Sequence, residues 1–465
     1  MRKENQSVGL GSYFVRSTVI ILFLAIVVFA PSARAVPSFS RQTGFPCSSC
    51  HTTPPELTPL GRTFKLNGYT LTGTAVNKVE KKGQTSGLSL LQVLPLSVFF
   101  ETSFTSTSKP QPGTQNGSFE FPQDVSLFIA GEWSTHVGSF VQFTYDAQDD
   151  HFTWDNTDIR YANSTKFLGK DMTYGVTMNN NPTLEDLWNS TPAWGYPFIS
   201  SDFAPAPAAA AIVNLTLAQD VAGIGAYEMW DNHLYLAGTL YRSDHIGVAQ
   251  PFDGTTSTIN IVGVAPYWRA AWQQTFGNNY LEVGTYGMYL QSTPLTVVGI
   301  KDTYTDYAAD FQYDRTIPQW HNNILSLRGT YIREDSSLDA SDGVGLASQV
   351  NHVLNTIEAN AEYHFGDRYS AAFGWFSTTG TADPLFYNQG CPTPGVTCEI
   401  GGSANGSPRN NGYILNVSWW PVQNIDLAAQ YTGYFMFNGA STNYDGFGRN
   451  ASDNNTVYLL ARFLF

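Results

Sequence analysis

Charge is scarce in this chain. Asp, Glu, Lys and Arg make up 13% of its 465 residues, and their balance is acidic, a formal −14. An acidic chain carries no electrostatic footprint for nucleic acid. Cysteine is rarer still: four residues, at 47, 50, 391 and 398. That number cannot build the disulfide framework of a small secreted domain, and the two pairs lie too far apart in sequence for a zinc knuckle. Long apolar runs are missing after residue 30, which excludes a bundle of transmembrane helices. No Ser/His/Asp arrangement, phosphate loop or metalloprotease helix appears.

What is present begins with an export signal. Arg2, Lys3 and Arg16 precede the apolar run Val19 to Ala30, and Ala33-Arg34-Ala35 fits a small-x-small cleavage site. Residues 1–35 therefore read as a signal peptide, with a mature chain of 430 residues from Val36. Soon after comes Cys47-Ser48-Ser49-Cys50-His51, the C-x-x-C-H attachment site of a c-type haem. Two thiols at that spacing reach the two vinyl groups of one porphyrin, and the next imidazole faces the iron. Cys47 and Cys50 are the expected thioether residues and His51 the proximal ligand. A thioredoxin-like site lacks its βαβ context here, and a Cys47–Cys50 disulfide is a poor staple.

Charge divides the mature chain in two. Residues 36–87 carry +4 and residues 88–465 carry −21, so a basic haem-binding segment and linker precede an acidic body against which it can dock. Pro46, Pro54, Pro55 and Pro59 forbid a long helix near the motif, while Thr58 to Leu66 suits two helical turns before Gly68. Between Thr52 and Gly87 there is no His and no Met. A self-contained cytochrome domain with a downstream Met ligand is therefore excluded. The sixth iron position is open, is filled by Lys65 or Asn67, or is filled from the body.

The body, 88–465, alternates. Ile357, Ala359, Ala361, Tyr363 and Phe365 oppose Glu358, Asn360, Glu362 and His364; Val457, Leu459, Ala461, Phe463 and Phe465 oppose Tyr458 and Arg462. Such dyads of about ten residues mark strands of a transmembrane barrel. Sixteen fall between 89 and 465. Tight turns near Ser134–Gly138, Leu168–Lys170, Asp231–Asn232, Gly277–Asn278, Gly366–Asp367 and Gln423 alternate with long Gly/Asn/Ser/Asp-rich loops such as 107–119, 334–352, 380–410 and 438–454. The expected fold is all-β: an antiparallel barrel of about sixteen strands in the bacterial outer membrane, with an aqueous lumen plugged by the haem segment. A β-propeller would show a 40–50-residue repeat, which is absent, and a β-sandwich would be shorter.

Between the fifth and sixth strands the alternation stops. Residues 180–220, which include Trp188, Trp194, Tyr196 and Phe198, read as a long loop packed inward. Phe39 to Gly44 leading into the haem motif, Pro55 to Arg62, Phe64 to Tyr69, Asn179 to Thr183 and Trp188 to Pro197 together resemble the fused monohaem cytochrome–porins of the outer membrane, several of which oxidise extracellular ferrous iron. The resemblance implies one covalently attached haem c and an electron path from an outside donor, Fe(II) by preference, to a periplasmic cytochrome or other acceptor. If the protein is an enzyme, it is then a ferrous-iron:cytochrome oxidoreductase.

Other residues are candidates from position alone. His364 faces the polar side of its strand near the periplasmic end, and His136 sits at a periplasmic turn; both are candidate sixth ligands. Met172, Met178 and Met229 qualify only if their strands turn inward. Asp149, Asp150 and His151, with Asp146, gather donors at an outer loop where Fe(II) could arrive. Cys391 and Cys398 are a disulfide candidate in an oxidising compartment. Two rival functions stand beside electron uptake: a haem-plugged diffusion porin, and a conduit carrying electrons outward.

Overall fold

The computed structural model describes residues 38–71, 94–111, 115–148, 150–190, 200–244, 260–294, 299–320, 323–387 and 402–465, with the backbone pairing of Lys78–Val79 to Leu90–Leu91. Residues 1–35, expected to be a signal peptide, and Asp149, Cys391 and Cys398 lie outside these residues.

Sixteen strands close on themselves. They are β1 (Leu96–Thr107), β2 (Asp124–Ser134), β3 (Val137–Asp146), β4 (His151–Phe167), β5 (Lys170–Asn179), β6 (Val221–Trp230), β7 (Leu234–Ser243) and β8 (Ala265–Phe276). The second half comprises β9 (Asn279–Thr293), β10 (Asp302–Ile317), β11 (Asn323–Ser337), β12 (Asn351–Phe365), β13 (Tyr369–Gly380), β14 (Asn410–Val422), β15 (Ile425–Met436) and β16 (Thr456–Leu464). Each pairs antiparallel with its neighbours, and β16 closes the ring on β1 from Thr456↔Thr107 to Leu464↔Phe99. Two short ribbons, Ser118–Glu120 and Asn260–Ile261, extend the wall where β2 starts late and β8 starts low. The first strand begins at 96 rather than 89. Pro95 explains this, since it can donate no ladder hydrogen bond.

Period-two patterning determines which face meets which solvent. On β16, Val457 and Leu459 are exposed, whereas Tyr458, Leu460 and Arg462 are buried. The exposed face elsewhere is apolar too, as with Ile224, Leu240, Val283, Phe311, Phe373 and Val417. Trp133, Phe167, Trp272, Phe276, Phe365, Tyr369 and Trp419 ring the short-turn end and remain exposed. An apolar outer band with an aromatic girdle is the surface of a barrel solvated by lipid. No helix among the described residues is long and apolar enough to cross a membrane; here the strands cross. Turn chemistry sets the tight ends: Asp231 and Asn232, and Leu168 and Gly169, all take positive φ, the geometry of a two-residue hairpin turn.

The interior departs from the aqueous lumen expected of a sixteen-strand wall. Residues 38–71 contact the short-turn half, and segments 180–190 and 200–220 contact the wall and one another further out. Leu66, Leu187 and Trp188 pack with Tyr227, Met229, Tyr235, Ala271 and Tyr280 of the wall. A second cluster sets Ala211, Ile212, Val213 and Leu217 against Tyr241, Tyr267, Tyr286, Leu290 and Ile332. Burying each large apolar side chain contributes roughly 1.5–3 kcal/mol, so these inner segments are held as a core is held.

Candidate functional site

The inner N-terminal segment holds three short helices: α1 (Ser38–Thr43), α2 (Cys47–Cys50) and α3 (Pro59–Leu66). Thr58 caps α3, its hydroxyl accepting from the Gly61 amide at 3.2 Å, with Pro59 at the first helical position. The same hydroxyl donates to the Ser49 carbonyl at 2.6 Å, and the Thr58 amide donates to the Cys50 carbonyl at 2.9 Å. These bonds tie α3 to α2. Their contact is so close that a Cβ at Gly61 would lie 2.2 Å from the Cys50 carbonyl oxygen. Phe39, Phe64 and Tyr69 stack around one another at centroid distances of 5.0–6.2 Å, giving the segment a small core of its own.

The wall holds this segment on several sides. Beyond the start of β1, the inner edge of β2 lacks a strand neighbour. The Gln42 amide supplies one: Nε2 donates to the Ala130 carbonyl at 2.9 Å, and Oε1 accepts from the Glu132 amide at 3.2 Å. Ser38 also donates to Ala130, and Arg41 to the Leu96 carbonyl. Tyr69 donates to Asp158 at 2.6 Å, Tyr227 donates to the Leu66 carbonyl at 2.9 Å, and Arg62 lies 4.3 Å over the Tyr280 ring. Glu56 forms a buried ion pair with Arg328, and Thr53 donates to Glu362 at 2.9 Å.

Within this frame the C-x-x-C-H motif takes a defined geometry. Cys47 and Cys50 lie at i and i+3 of α2, on one helix face, and both are free thiols. His51 follows in extended conformation, and its Nδ1 lies 3.2 Å from the Glu56 carbonyl oxygen. A proton on Nδ1 donated to that carbonyl leaves Nε2 as the ligating nitrogen, the usual outer-shell arrangement of a metal-bound histidine. Burial lowers the imidazole to about 4, so it is neutral, as a ligand must be. Burial pushes both thiols up, unlike the lowered thiols of redox and thiolate metal sites.

The motif borders a cavity of about 490 Å³, within the range of cofactor sites. Phe45, Leu57, Leu60, Phe64, Phe99, Phe128, Leu184 and Leu187 supply apolar walls. Its charged lining is acidic: among the described residues, Glu101, Asp124, Asp155, Asp186, Asp202 and Asp367 face only Lys65 and Arg462. On the side toward the long loops, the carboxylates of Asp124, Asp146 and Asp202 lie within 4.8 Å of one another. An apolar slot with two thiols and the His51 imidazole at one rim fits a covalently attached haem.

Of the other residues singled out from sequence, few meet this cavity. Lys65 lines it; its Nζ donates to the Asp186 carbonyl at 2.9 Å, and burial lowers it to about 8. Asn67 closes α3 instead. His364 is buried beside Glu362 and Glu56 and does not line the cavity. His136 binds the Ala162 carbonyl through Nδ1 at 3.1 Å in its turn. Met178 is 54% exposed on the lipid face, and Met229 packs with Leu66 and Trp188. Asp150 accepts from Tyr145 at 2.6 Å at the long-loop end, and neither it nor His151 borders the cavity.

Sequence reasoning missed the supporting network. Arg269, on β8, pairs with Asp186 at 3.1 Å, Glu282 at 3.2 Å and Asp310 at 2.7 Å, all buried. Arg160 pairs with Asp158 at 2.6 Å and donates to the carbonyls of Leu184 and Glu185. These cations on the inward face hold the 180–190 segment above the N-terminal one. Arg269 stands out in sequence as the one charged residue of an otherwise neutral strand, whereas Arg160 shares β4 with Asp155, Asp158 and Lys166.

No protein-family model matches the chain, and no curated protein sequence matches it. Among solved structures it is similar to OprB of Pseudomonas putida, at 12% identity over 80% of this chain and 93% of that one, TM-score 0.46. OmpF of Salmonella typhi, in complex with daunomycin, gives 12% identity over 80% and 97%, TM-score 0.45. The outer membrane channel DcaP of Acinetobacter baumannii gives 11% over 80% and 96%, TM-score 0.43. This chain's own closed register and lipid-facing band decide its class. It is an outer-membrane β-barrel.

Proposed function

We propose that the barrel carries one haem c on Cys47 and Cys50, with His51 as proximal ligand, and passes electrons from an extracellular donor, Fe(II), to a periplasmic acceptor. The observation that carries this reading is His51, its Nδ1 engaged by the Glu56 carbonyl, at the rim of an apolar cavity beside both thiols. The bound haem would supply one-electron exchange. The protein's residues do the rest. Glu56 fixes the imidazole tautomer, Phe64, Phe99, Phe128 and Leu184 keep water off, and the acidic lining draws a cation donor inward. Its place in the fused cytochrome–porin family, suggested by the motifs around residues 36–72 and 179–198, belongs to this same proposal.

A diffusion porin is the second reading, since a sixteen-strand wall is wide enough for one. The two inner segments and their apolar clusters weigh against it. The test uses haem-loaded protein in liposomes with cytochrome c trapped inside and Fe(II) added outside, anaerobically. Reduction of the trapped cytochrome by the intact protein, and not by Cys47→Ser/Cys50→Ser, is the expected result. Solute leakage without reduction would select the porin.

A further inference from the structure

Behind His51, the wall of the barrel carries a second set of donors that the haem reading does not use. Alternation on β12 puts Glu362 and His364 at i and i+2 on the inward face. The turn after the haem motif brings Glu56 to meet them. One ligand atom from each of the three lies within 4.8 Å of the other two. All three residues are buried, at 1%, 3% and 3% exposure. His364 Nε2 has no hydrogen-bond partner, and the Glu362 carboxylate lies 3.7 Å from it. A buried polar nitrogen without a partner is costly unless something pairs it. Neighbouring inward atoms share the deficit: Asp314 Oδ1, Arg328 Nε, Asn360 Oδ1 and Ser370 Oγ are also buried without partners.

We propose that Glu56, Glu362 and His364 bind a first-row divalent cation that ties the N-terminal segment to the barrel wall. One imidazole nitrogen with two carboxylates suits Zn(II), Fe(II) or Co(II) rather than Mg(II) or Ca(II), which prefer all-oxygen shells. The ligands come from parts of the chain far apart in sequence, so the cation acts as a cross-link and adds to stability by mass action. Arg328 opposes it. Its guanidinium pairs with Glu56, and the cation competes for that carboxylate. The site does not rest on the haem reading, because none of its three side chains is a thioether residue or the proximal ligand.

The test is metal counting on the full-length protein in detergent, stripped with chelator, dialysed against Zn(II) and analysed by mass spectrometry, with haem iron counted separately. The expected result is one zinc retained per chain and a zinc-dependent rise in melting temperature. Binding should weaken by about tenfold or more in His364→Gln and in Glu362→Gln, and tighten in Arg328→Gln. Wild-type protein that retains no zinc, or variants that retain it equally, would overturn the proposal. If either variant fails to fold, the wild-type stoichiometry and melting shift still decide it.

Discussion

Gly61 and Gln42 show how single side chains set this site. With a Cβ at Gly61 aimed at the Cys50 carbonyl from 2.2 Å, Gly61→Ala must push α3 away from α2. Covalent haem per chain, measured by pyridine haemochrome, should fall severalfold while the barrel's own melting is unchanged; full loading would contradict the contact. Gln42→Ala removes the Gln42 oxygen from the Glu132 amide of β2, while the Ala130 carbonyl keeps the Ser38 hydroxyl, a loss of about 1–3 kcal/mol. Faster hydrogen exchange at the Glu132 amide is the sign to look for. At this scale the sequence is only partly legible. The spacing of Cys47, Cys50 and His51 is what carries the haem proposal. Gln42, Glu56 and Arg328 have no such spacing, because their roles depend on which strand edge or wall they meet.

The elements carry the next set of consequences. Alternation made the strands legible: sixteen were expected and sixteen close the ring. Starts were less so, since Pro95 and the short Ser118–Glu120 ribbon break the pattern locally. The inner 180–190 segment is held partly by Glu185, buried, accepting from Thr239 and with its other oxygen unpaired. Burial raises its carboxyl to about 7. The folded state therefore holds this proton where the unfolded chain, near 4.5, releases it. Its stabilisation is complete below about 4.5 and is lost as pH rises through about 7. Against Glu185→Gln, the wild type should lose roughly 2–3 kcal/mol between those limits, read from denaturant midpoints in detergent at each pH. Parallel curves would contradict it. The lumen tests the other inner segment. β5 and β6 pair directly, Asn179 opposite Gly223, so a short Gly/Ser turn can replace the chain between them. In planar bilayers, neither that replacement nor removal of 38–71 should alone open a large conductance. Both together should.

At the scale of the molecule, an all-β wall in lipid surrounds its own chain, and the chain presents two thiols and one imidazole to an acidic-rimmed apolar cavity. The wall follows from period two and turn chemistry. The filled lumen does not, because nothing in strand alternation says what the inward face will meet. The measurement that bears most directly on the central claim is an anaerobic visible spectrum of detergent-purified protein, expressed with c-haem maturation, before and after Fe(II) and then dithionite. The account predicts a sharp c-type α-band that grows with Fe(II) and is absent in Cys47→Ser/Cys50→Ser. A band with dithionite alone would keep the haem and remove Fe(II) as donor. No c-type band under either reductant would contradict the account.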